Sequence, residues 1–264
     1  MSEWNPEHYL QYAGERGRPF VELLARVGGH HPDRVVDLGC GPGNLTRLLR
    51  ERWPAAEVVG VDASAAMIDR ARAGGGGVDY RHQELHQWLD RAERAGATVD
   101  VLLSNATLQW IPDHLALLPR LLRRTTWLAI QVPGNFAAPS HTILRELSAR
   151  PEYAEYTSGA AVPCSHEPEE YLEAVLPLTA HVDAWETTYR HVLSGPDPVF
   201  TWVGATGARP TLDALPPGPR GRFETEYREL LGEAYPRRRG RVVLPFRRIF
   251  LVASSDASGE GEAR

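Results

Sequence analysis

Asp37, Gly39, Gly41 and Asp62 are the residues of this 264-residue chain whose types and spacing point most directly to chemistry. The first three lie in Val35-Val36-Asp37-Leu38-Gly39-Cys40-Gly41-Pro42-Gly43-Asn44, a short apolar run that turns on glycines and enters a helical stretch. Glycines at such a turn let the backbone approach a ligand closely, and the helix start behind them offers free N–H groups. A dinucleotide fingerprint would place glycine at 39, 41 and 44, but position 44 is Asn. An acid two residues ahead of the first glycine suits a ligand with an ammonium group better than one with a pyrophosphate. Asp62 closes the next apolar run about twenty residues later, where a carboxylate can accept both hydroxyls of a ribose. The plain alternatives are a tight turn in a flavodoxin-like fold and, for Asp62, a cap on the next helix.

The elements that must hold these residues alternate in type. Val35 to Leu38, Val58 to Asp62, Val78 to Tyr80, Val99 to Ser104 and Trp127 to Val132 read as strands. Between them, Gly43 to about Trp53, a stretch through Met67, Ile68 and Ala71, Leu85 to Ala95, and Pro112 to Arg123 read as helices. Strands alternating with helices predict βαβ units and a doubly wound, mostly parallel α/β sheet, whose ligands sit at the carboxyl ends of the strands. After Pro133 the pattern changes. Segments 134–180 and 195–240 read as helices with loops, His181 to Leu193 and Phe246 to Ala253 as two further strands pairing at one edge, and 254–264 as a small, polar, disordered tail. The expectation is one domain over 1–253, with a core at about 30–133 and helical insertions forming a lid over the site.

Composition excludes several classes. All 29 basic residues are arginine, so no P-loop lysine, Schiff-base lysine or lysine general base is available. Two cysteines, Cys40 and Cys164, make neither a disulfide framework nor a zinc cluster, so no metal is expected. A formal net charge of −5 argues against broad nucleic-acid binding, and the one basic run, Arg237-Arg238-Arg239-Gly240-Arg241, reads as a solvated turn. No apolar run is long enough to span a membrane, and the start, Met1-Ser2-Glu3-Trp4-Asn5-Pro6, has neither a basic nor an apolar signal region. A cytoplasmic location fits these features.

The Asp-Leu-Gly-Cys-Gly-Pro-Gly motif at 37–43, the Val61-Asp62 pair and the segment Ser104-Asn105-Ala106 together resemble the class I S-adenosylmethionine-dependent methyltransferases. The resemblance implies a Rossmann-like, seven-stranded sheet and S-adenosyl-L-methionine as cofactor. It places Asp37, Gly39 and Gly41 at the methionine end, Asp62 on the ribose, Met67 against the adenine, Glu84 on the adenine amino group, and Asn105 at the end of the fourth strand. Met67 could equally be core, and Glu84 stands where these enzymes usually have Asp.

A narrower resemblance, to the trans-aconitate methyltransferases, runs nearly end to end. It is carried by Trp4-Asn5-Pro6, Tyr9-Leu10, Arg18-Pro19-Phe20, Arg52-Trp53-Pro54 and Asn105 through His114. It continues with Gln131-Val132-Pro133, Pro139-Ser140-His141, Thr187 with Tyr189 and His191, Thr206-Gly207-Ala208-Arg209-Pro210 and Leu244-Pro245-Phe246. Ala208 and Gly134 depart from that pattern, where Leu and a polar residue are usual. The resemblance implies methyl transfer to a carboxylate of a small polyacid, trans-aconitate first. A carboxylate is already a nucleophile at neutral pH, so no catalytic base is required; alignment and cations that hold the other carboxylates suffice. Arginine suits that task through its planar fork. The candidates for the acceptor are Arg209, in a Gly/Pro-flanked loop, and Arg247, at the start of the last strand, with Tyr9, Gln109, Trp110, His141 and Tyr189 as polar and aromatic walls. Their alternatives are an ion pair for Arg247, packed wall for Trp110, and local backbone bridging for His141. Another polyacid, a carrier-bound acyl acid, or a cofactor-binding scaffold without catalysis are the competing functions; an NAD-linked oxidoreductase is opposed by Asn44 and Asp37.

Overall fold

A computed structural model describes residues 13–28 and 31–255. Helix α1 (Ala13–Ala25) leads into β1 (Arg34–Leu38), α2 (Thr46–Arg52), β2 (Glu57–Asp62), α3 (Ala65–Ala73), β3 (Asp79–His82), α4 (Leu85–Ala95) and β4 (Val99–Asn105). Two short 3-10 turns (Leu108–Trp110 and His114–Leu117) and α5 (Leu118–Leu122) precede β5 (Thr125–Pro133). Then come α6 (Pro139–Ser148), α7 (Pro151–Thr157), α8 (Pro168–Val175), β6 (His181–Leu193), α9 (Pro198–Gly204), α10 (Arg209–Ala214), α11 (Pro217–Ala234) and β7 (Val242–Ser254).

The seven strands form one sheet in the order β3-β2-β1-β4-β5-β7-β6. The pairs β1–β2, β1–β4, β2–β3 and β4–β5 are all parallel. Their side chains explain why. The first four residues after Arg34 are buried without alternation, as both faces of a parallel strand must be when helices cover them. Leu85, Trp88, Leu89 and Ala92 of α4 recur at the spacing of one helical face, and all four pack into the core with Val36, Val59 and Leu102. Gly96, at φ +61°, ends that helix in the left-handed conformation. Strand order reverses direction between β1 and β4, and that switch point opens the crevice where such sheets take ligands.

One expected helix is broken. Pro112 to Arg123 is not continuous: Asp113 adopts φ +54°, and a 3-10 turn precedes the short α5. The cause is His114, buried completely, whose Nδ1 lies 3.1 Å from the Ile111 carbonyl and whose Nε2 lies 2.7 Å from the Tyr171 hydroxyl of α8. A fully buried imidazole needs both partners, and obtaining them bends the chain.

The chain divides into two units that interleave along the sequence. The larger holds the described residues up to 132, then 166–186 and those from 249, and so carries β1 to β5, α8, the first part of β6 and the last part of β7. The smaller holds 133–165 and 187–248, with α6, α7, α9, α10 and α11. Its core is aromatic: Trp202, Phe223 and Tyr227 are at most 1% exposed, and His191 stacks on Trp202 at 4.4 Å. The arginine run at 237–241 is a turn, closed by an Arg238–Arg241 bridge, with the Arg237 guanidinium donating to the carbonyls of Gly195, Pro196 and Gly240. Strand β7 runs through Ser254, the residue at which the sequence suggested a tail; positions 256–264 lie outside the described residues. No helix among the described residues is long and apolar enough to cross a membrane.

Candidate functional site

In the larger unit, the turn after β1 is stitched to the end of β2. Gly39 and Cys40 both donate their N–H groups to the Val61 carbonyl, at 2.7 and 3.0 Å. Gly39 sits at φ +83°, and a Cβ there would come within 1.9 Å of the Thr107 hydroxyl, so only glycine fits both the conformation and the space. Gly41 is also left-handed, at φ +54°, but a Cβ there would meet no atom within 4 Å. One glycine is therefore fixed by protein packing, whereas the other faces space that the protein does not fill. Tyr80 of β3 closes the far end of the turn by donating its hydroxyl to the Gly43 carbonyl at 3.1 Å.

The two acids meet this turn from neighbouring strands. Asp37 lies opposite Gly60 in the parallel register, so Asp62 stands two residues further along the adjacent strand. Asp37 is 3% exposed and accepts one hydrogen bond, from the Thr46 hydroxyl of α2 at 2.7 Å. Burial pushes its carboxyl up to about 7; the Thr46 bond works against that, and the charge of Asp62 adds to it. Its second oxygen has no protein partner among the described residues. Asp62 accepts the Gly41 N–H at 2.9 Å and the Ser64 N–H at 2.8 Å. Its carboxyl is likewise raised, mainly by burial, with both N–H groups opposing the rise and Glu84 contributing to it. Asp62 thus braces the entry to α3, near the capping alternative the sequence offered, and also holds the glycine turn. A buried carboxyl beside a second acid, with one oxygen unpaired, fits a cationic ligand group.

The remaining cofactor candidates fall around this pair. Met67, 5% exposed, lies in the first turn of α3, its N–H directed to the Ser64 hydroxyl at 3.4 Å. Glu84 is exposed at the N-terminus of α4, its charge registered at Asp62. Asn105 ends β4 opposite Gln131, and its side-chain oxygen has no hydrogen-bond partner among the described residues. Ala106 follows at φ +55°, a strained conformation for a residue with a Cβ. Gln109 holds that bend by donating to the Ala106 carbonyl at 2.6 Å; it is 5% exposed, and its Oε1 has no partner among the described residues. Trp110 is half-buried in the same 3-10 turn.

The other acceptor candidates belong to the smaller unit. His141 is fixed from behind: Ser140 donates its N–H to the Tyr235 hydroxyl at 3.1 Å and accepts the Tyr227 hydroxyl on its carbonyl at 2.6 Å. Burial, with the nearby charge of Arg145, holds the His141 imidazole down to about 4, so it is neutral near pH 7. Tyr189 is 7% exposed on β6, its ring stacked with that of His191 at 6.2 Å. Arg209 is not in a loop, as the Gly/Pro-flanked sequence suggested: Pro210 at the second position starts α10, and Arg209 opens it. Its Nε is 3.1 Å from the Asp213 carboxylate one turn on, and its side chain is 17% exposed. Arg247 lies midway along β7 rather than at its start, half-buried, and its carbonyl accepts the Gly134 N–H at 2.9 Å. Tyr9 lies outside the described residues.

Thr46, Tyr80, Ser64 and Thr107 were not singled out by sequence reasoning. Thr46 left one usable trace, a hydroxyl in the first turn of the helix that follows a strand carrying an acid next to its end. Thr107, 68 residues from Gly39, left none. Among the described residues no group of three or more His, Cys, Asp or Glu could hold a metal.

A family profile described as a methyltransferase domain matches residues 35–126, the segment from β1 to β5. The trans-aconitate 2-methyltransferase of Streptomyces avermitilis is 43% identical over 97% of this chain and 98% of its own. That of Rhodococcus jostii is 45% identical over 95% of this chain and 98% of its own. Among solved structures, the plantazolicin methyltransferase BamL, in complex with a triazolic desmethylPZN analog and SAH, shares the fold with a TM-score of 0.51 at 15% identity, over 95% of this chain and 91% of that one. With identity above two-fifths across nearly the whole of both chains, this chain belongs to the trans-aconitate 2-methyltransferase family.

Proposed function

We propose that this chain is an enzyme that transfers a methyl group from S-adenosyl-L-methionine to one carboxylate of trans-aconitate, giving the monomethyl ester and S-adenosylhomocysteine. The observation that carries the cofactor half is the pair Asp37, buried and held by Thr46 of α2, and Asp62, half-buried and bound to Gly41 of the glycine turn, on neighbouring strands. When bound, the cofactor supplies a methyl group activated by a sulfonium. Asp37 takes its ammonium, Gly39 and Gly41 present backbone along the methionine portion, and Asp62 uses its remaining lone pairs on the ribose hydroxyls. Met67 packs against the adenine, Glu84 accepts its amino group, and the unpaired oxygen of Asn105 lies at the end of β4 to accept a further donor.

The acceptor half rests on the family and on arginine chemistry. The reading assigns trans-aconitate to Gln109, Trp110, His141, Tyr189, Arg209 and Arg247, with Tyr9 in addition. The arginines hold carboxylates that do not react, and the aromatic side chains wall them from water. An ionised carboxylate oxygen forms the new bond to the methyl carbon as the carbon–sulfur bond breaks, so charge balances and no proton moves. No residue need serve as a base, and a neutral His141 is consistent with that. Orientation alone can supply about 7–11 kcal/mol of the barrier in favourable cases. The reading takes the chain to 253 as one methyltransferase domain with helical insertions as its lid, acting in the cytoplasm on a free small molecule, without nucleic acid or membrane.

Incubation with methyl-labelled cofactor and a panel of di- and tricarboxylates tests it. Base-labile label should appear on trans-aconitate at far lower concentration than on citrate or isocitrate. Equal transfer across the panel, or none, would remove the assignment.

A further inference from the structure

Within the larger unit, β4 ends on Asn105, and the next residue, Ala106, takes φ +55°. The left-handed region is unfavourable for a residue with a Cβ and persists only where the surroundings hold it. Two hydrogen bonds hold it here, one on each side of the Ala106 α-carbon. Its N–H donates to the Gln131 carbonyl of β5 at 2.8 Å, and its carbonyl accepts the Gln109 side-chain amide at 2.6 Å. The first is made by main chain alone, so substitution leaves it in place. The second depends on one side chain.

The orientation of the Gln109 amide follows from that contact. A carbonyl only accepts, so Nε2 faces Ala106; the reverse placement would set two oxygens at 2.6 Å. The amide keeps this orientation although Oε1 then has no partner among the described residues, so the Ala106 bond takes precedence. Gln109 is itself well fixed. It lies in the 3-10 turn Leu108–Trp110, which the fully buried Leu108 anchors in the core beside Leu102 and Val132. Next to Ala106 stands Thr107, whose hydroxyl lies 3.4 Å from the carbonyls of Gly39 and Asn105 and occupies the space where a Cβ on residue 39 would fall. The backbone angles of Ala106 therefore set where Thr107 meets the cofactor turn.

We propose that Gln109 is a positioning residue for the cofactor: by holding Ala106 left-handed, it seats Thr107 against Gly39 and fixes Asn105 at the end of β4. The inference rests on the cofactor reading above. It adds to the assignment of Gln109 to the acceptor without displacing it, since Nε2 carries a second proton. Gln109 acts on the cofactor through residue 106, so its effect should vanish where residue 106 needs no holding. Glycine enters the left-handed region without steric cost. Ala106→Gly should therefore make Gln109 dispensable for cofactor binding, which no direct contact between Gln109 and the cofactor would allow.

Isothermal titration of the full-length protein with S-adenosylhomocysteine tests it, in the wild type, Gln109→Met, Ala106→Gly and the double variant. Gln109→Met should weaken the ligand by about tenfold, since the bend loses its side-chain hydrogen bond. Ala106→Gly alone should bind within about threefold of the wild type, and the double variant should bind like Ala106→Gly. If Gln109→Met fails to fold, Gln109→Asn replaces it, polar but one methylene too short to reach the Ala106 carbonyl. Wild-type affinity in the Gln109 variant, or a loss that Ala106→Gly does not restore, would overturn the proposal. The KM for trans-aconitate, read in the same proteins, should stay raised in the double variant, because glycine frees the bend but returns no amide. Absence of binding by the wild type would instead remove the cofactor reading itself, so the two failures give different results.

Discussion

The Asp62 carboxylate accepts the amide proton of Gly41 at 2.9 Å, so the acid assigned to the ribose is also what holds the cofactor turn in place. Its other oxygen braces Ser64 at the head of α3. Binding and local folding are therefore carried by the same two oxygens and should fail together. In Asp62→Ala both N–H groups lose their acceptor, for a cost of about 1–3 kcal/mol in stability. Cofactor affinity should fall by about a hundredfold or more, since two charge-assisted bonds are lost. Calorimetry and thermal melting of the same preparation check both. Unchanged affinity would remove Asp62 from the ribose.

Asp37 makes cofactor binding depend on pH. Its carboxyl is raised to about 7 in the ligand-free fold, whereas a cationic ammonium beside it favours the ionised form. Below pH 7 the proton must leave for the cofactor to bind. Affinity should therefore weaken by up to about tenfold for each unit below 7 and level off above it. Calorimetry in two buffers of different ionisation heat should show proton release at pH 6 and little at pH 8.

The same raised value fixes the sign of a stability effect. The unfolded carboxyl ionises near 3.8 and the folded one near 7, so the folded state holds the proton more tightly. Its contribution is present in full below the unfolded value and is lost as pH rises through that window. Asp37→Asn should accordingly make the cofactor-free protein more stable at pH 8, by about 2–4 kcal/mol, while binding cofactor far more weakly. Chemical denaturation should show the gain nearly complete at pH 8, about a third as large at pH 5, and absent below the unfolded value.

Thr46 sets where that titration falls. Thr46→Val keeps the shape and removes the hydroxyl that favours the ionised form of Asp37. The midpoint of the affinity-against-pH curve should rise by about one unit, the equivalent of one hydrogen bond to a charged group. A midpoint that stays in place would show that Thr46 does not act through Asp37.

Two glycines in one turn should respond differently to the same methyl group. Gly39→Ala meets Thr107 at 1.9 Å in a left-handed conformation, and should cost about 2–4 kcal/mol of stability. Gly41→Ala meets no protein atom, and should cost only about 1 kcal/mol for its backbone while weakening the cofactor more than it weakens the fold. Thermal melts with and without cofactor separate the two.

The sheet was legible because its signals are local. Helix α4 follows from the spacing of Leu85, Trp88, Leu89 and Ala92, closed by Gly96, and the strands from unbroken apolar runs. The Asp37 and Asp62 pair was legible for the same reason, Asp62 closing its run and Asp37 standing two residues ahead of the first glycine. The break at Asp113 was not, because its cause is Tyr171, 57 residues from His114. Nor was Thr107 under Gly39, which is a contact across two strands. Arg209 looked like a free loop cation from its glycine and proline neighbours, yet proline at a second helical position begins α10 and delivers it to Asp213. The smaller unit begins where the sequence pattern changes, after Val132, but nothing local marks the return of 166–186 to the larger unit.

A crystal structure with S-adenosylhomocysteine, grown at pH 8, tests the central claim most directly. It should place the ligand's ammonium within about 3 Å of an Asp37 oxygen, and both ribose hydroxyls within the same distance of Asp62. A ligand bound with its ribose away from Asp62, or with its ammonium paired to another acid, would contradict the account.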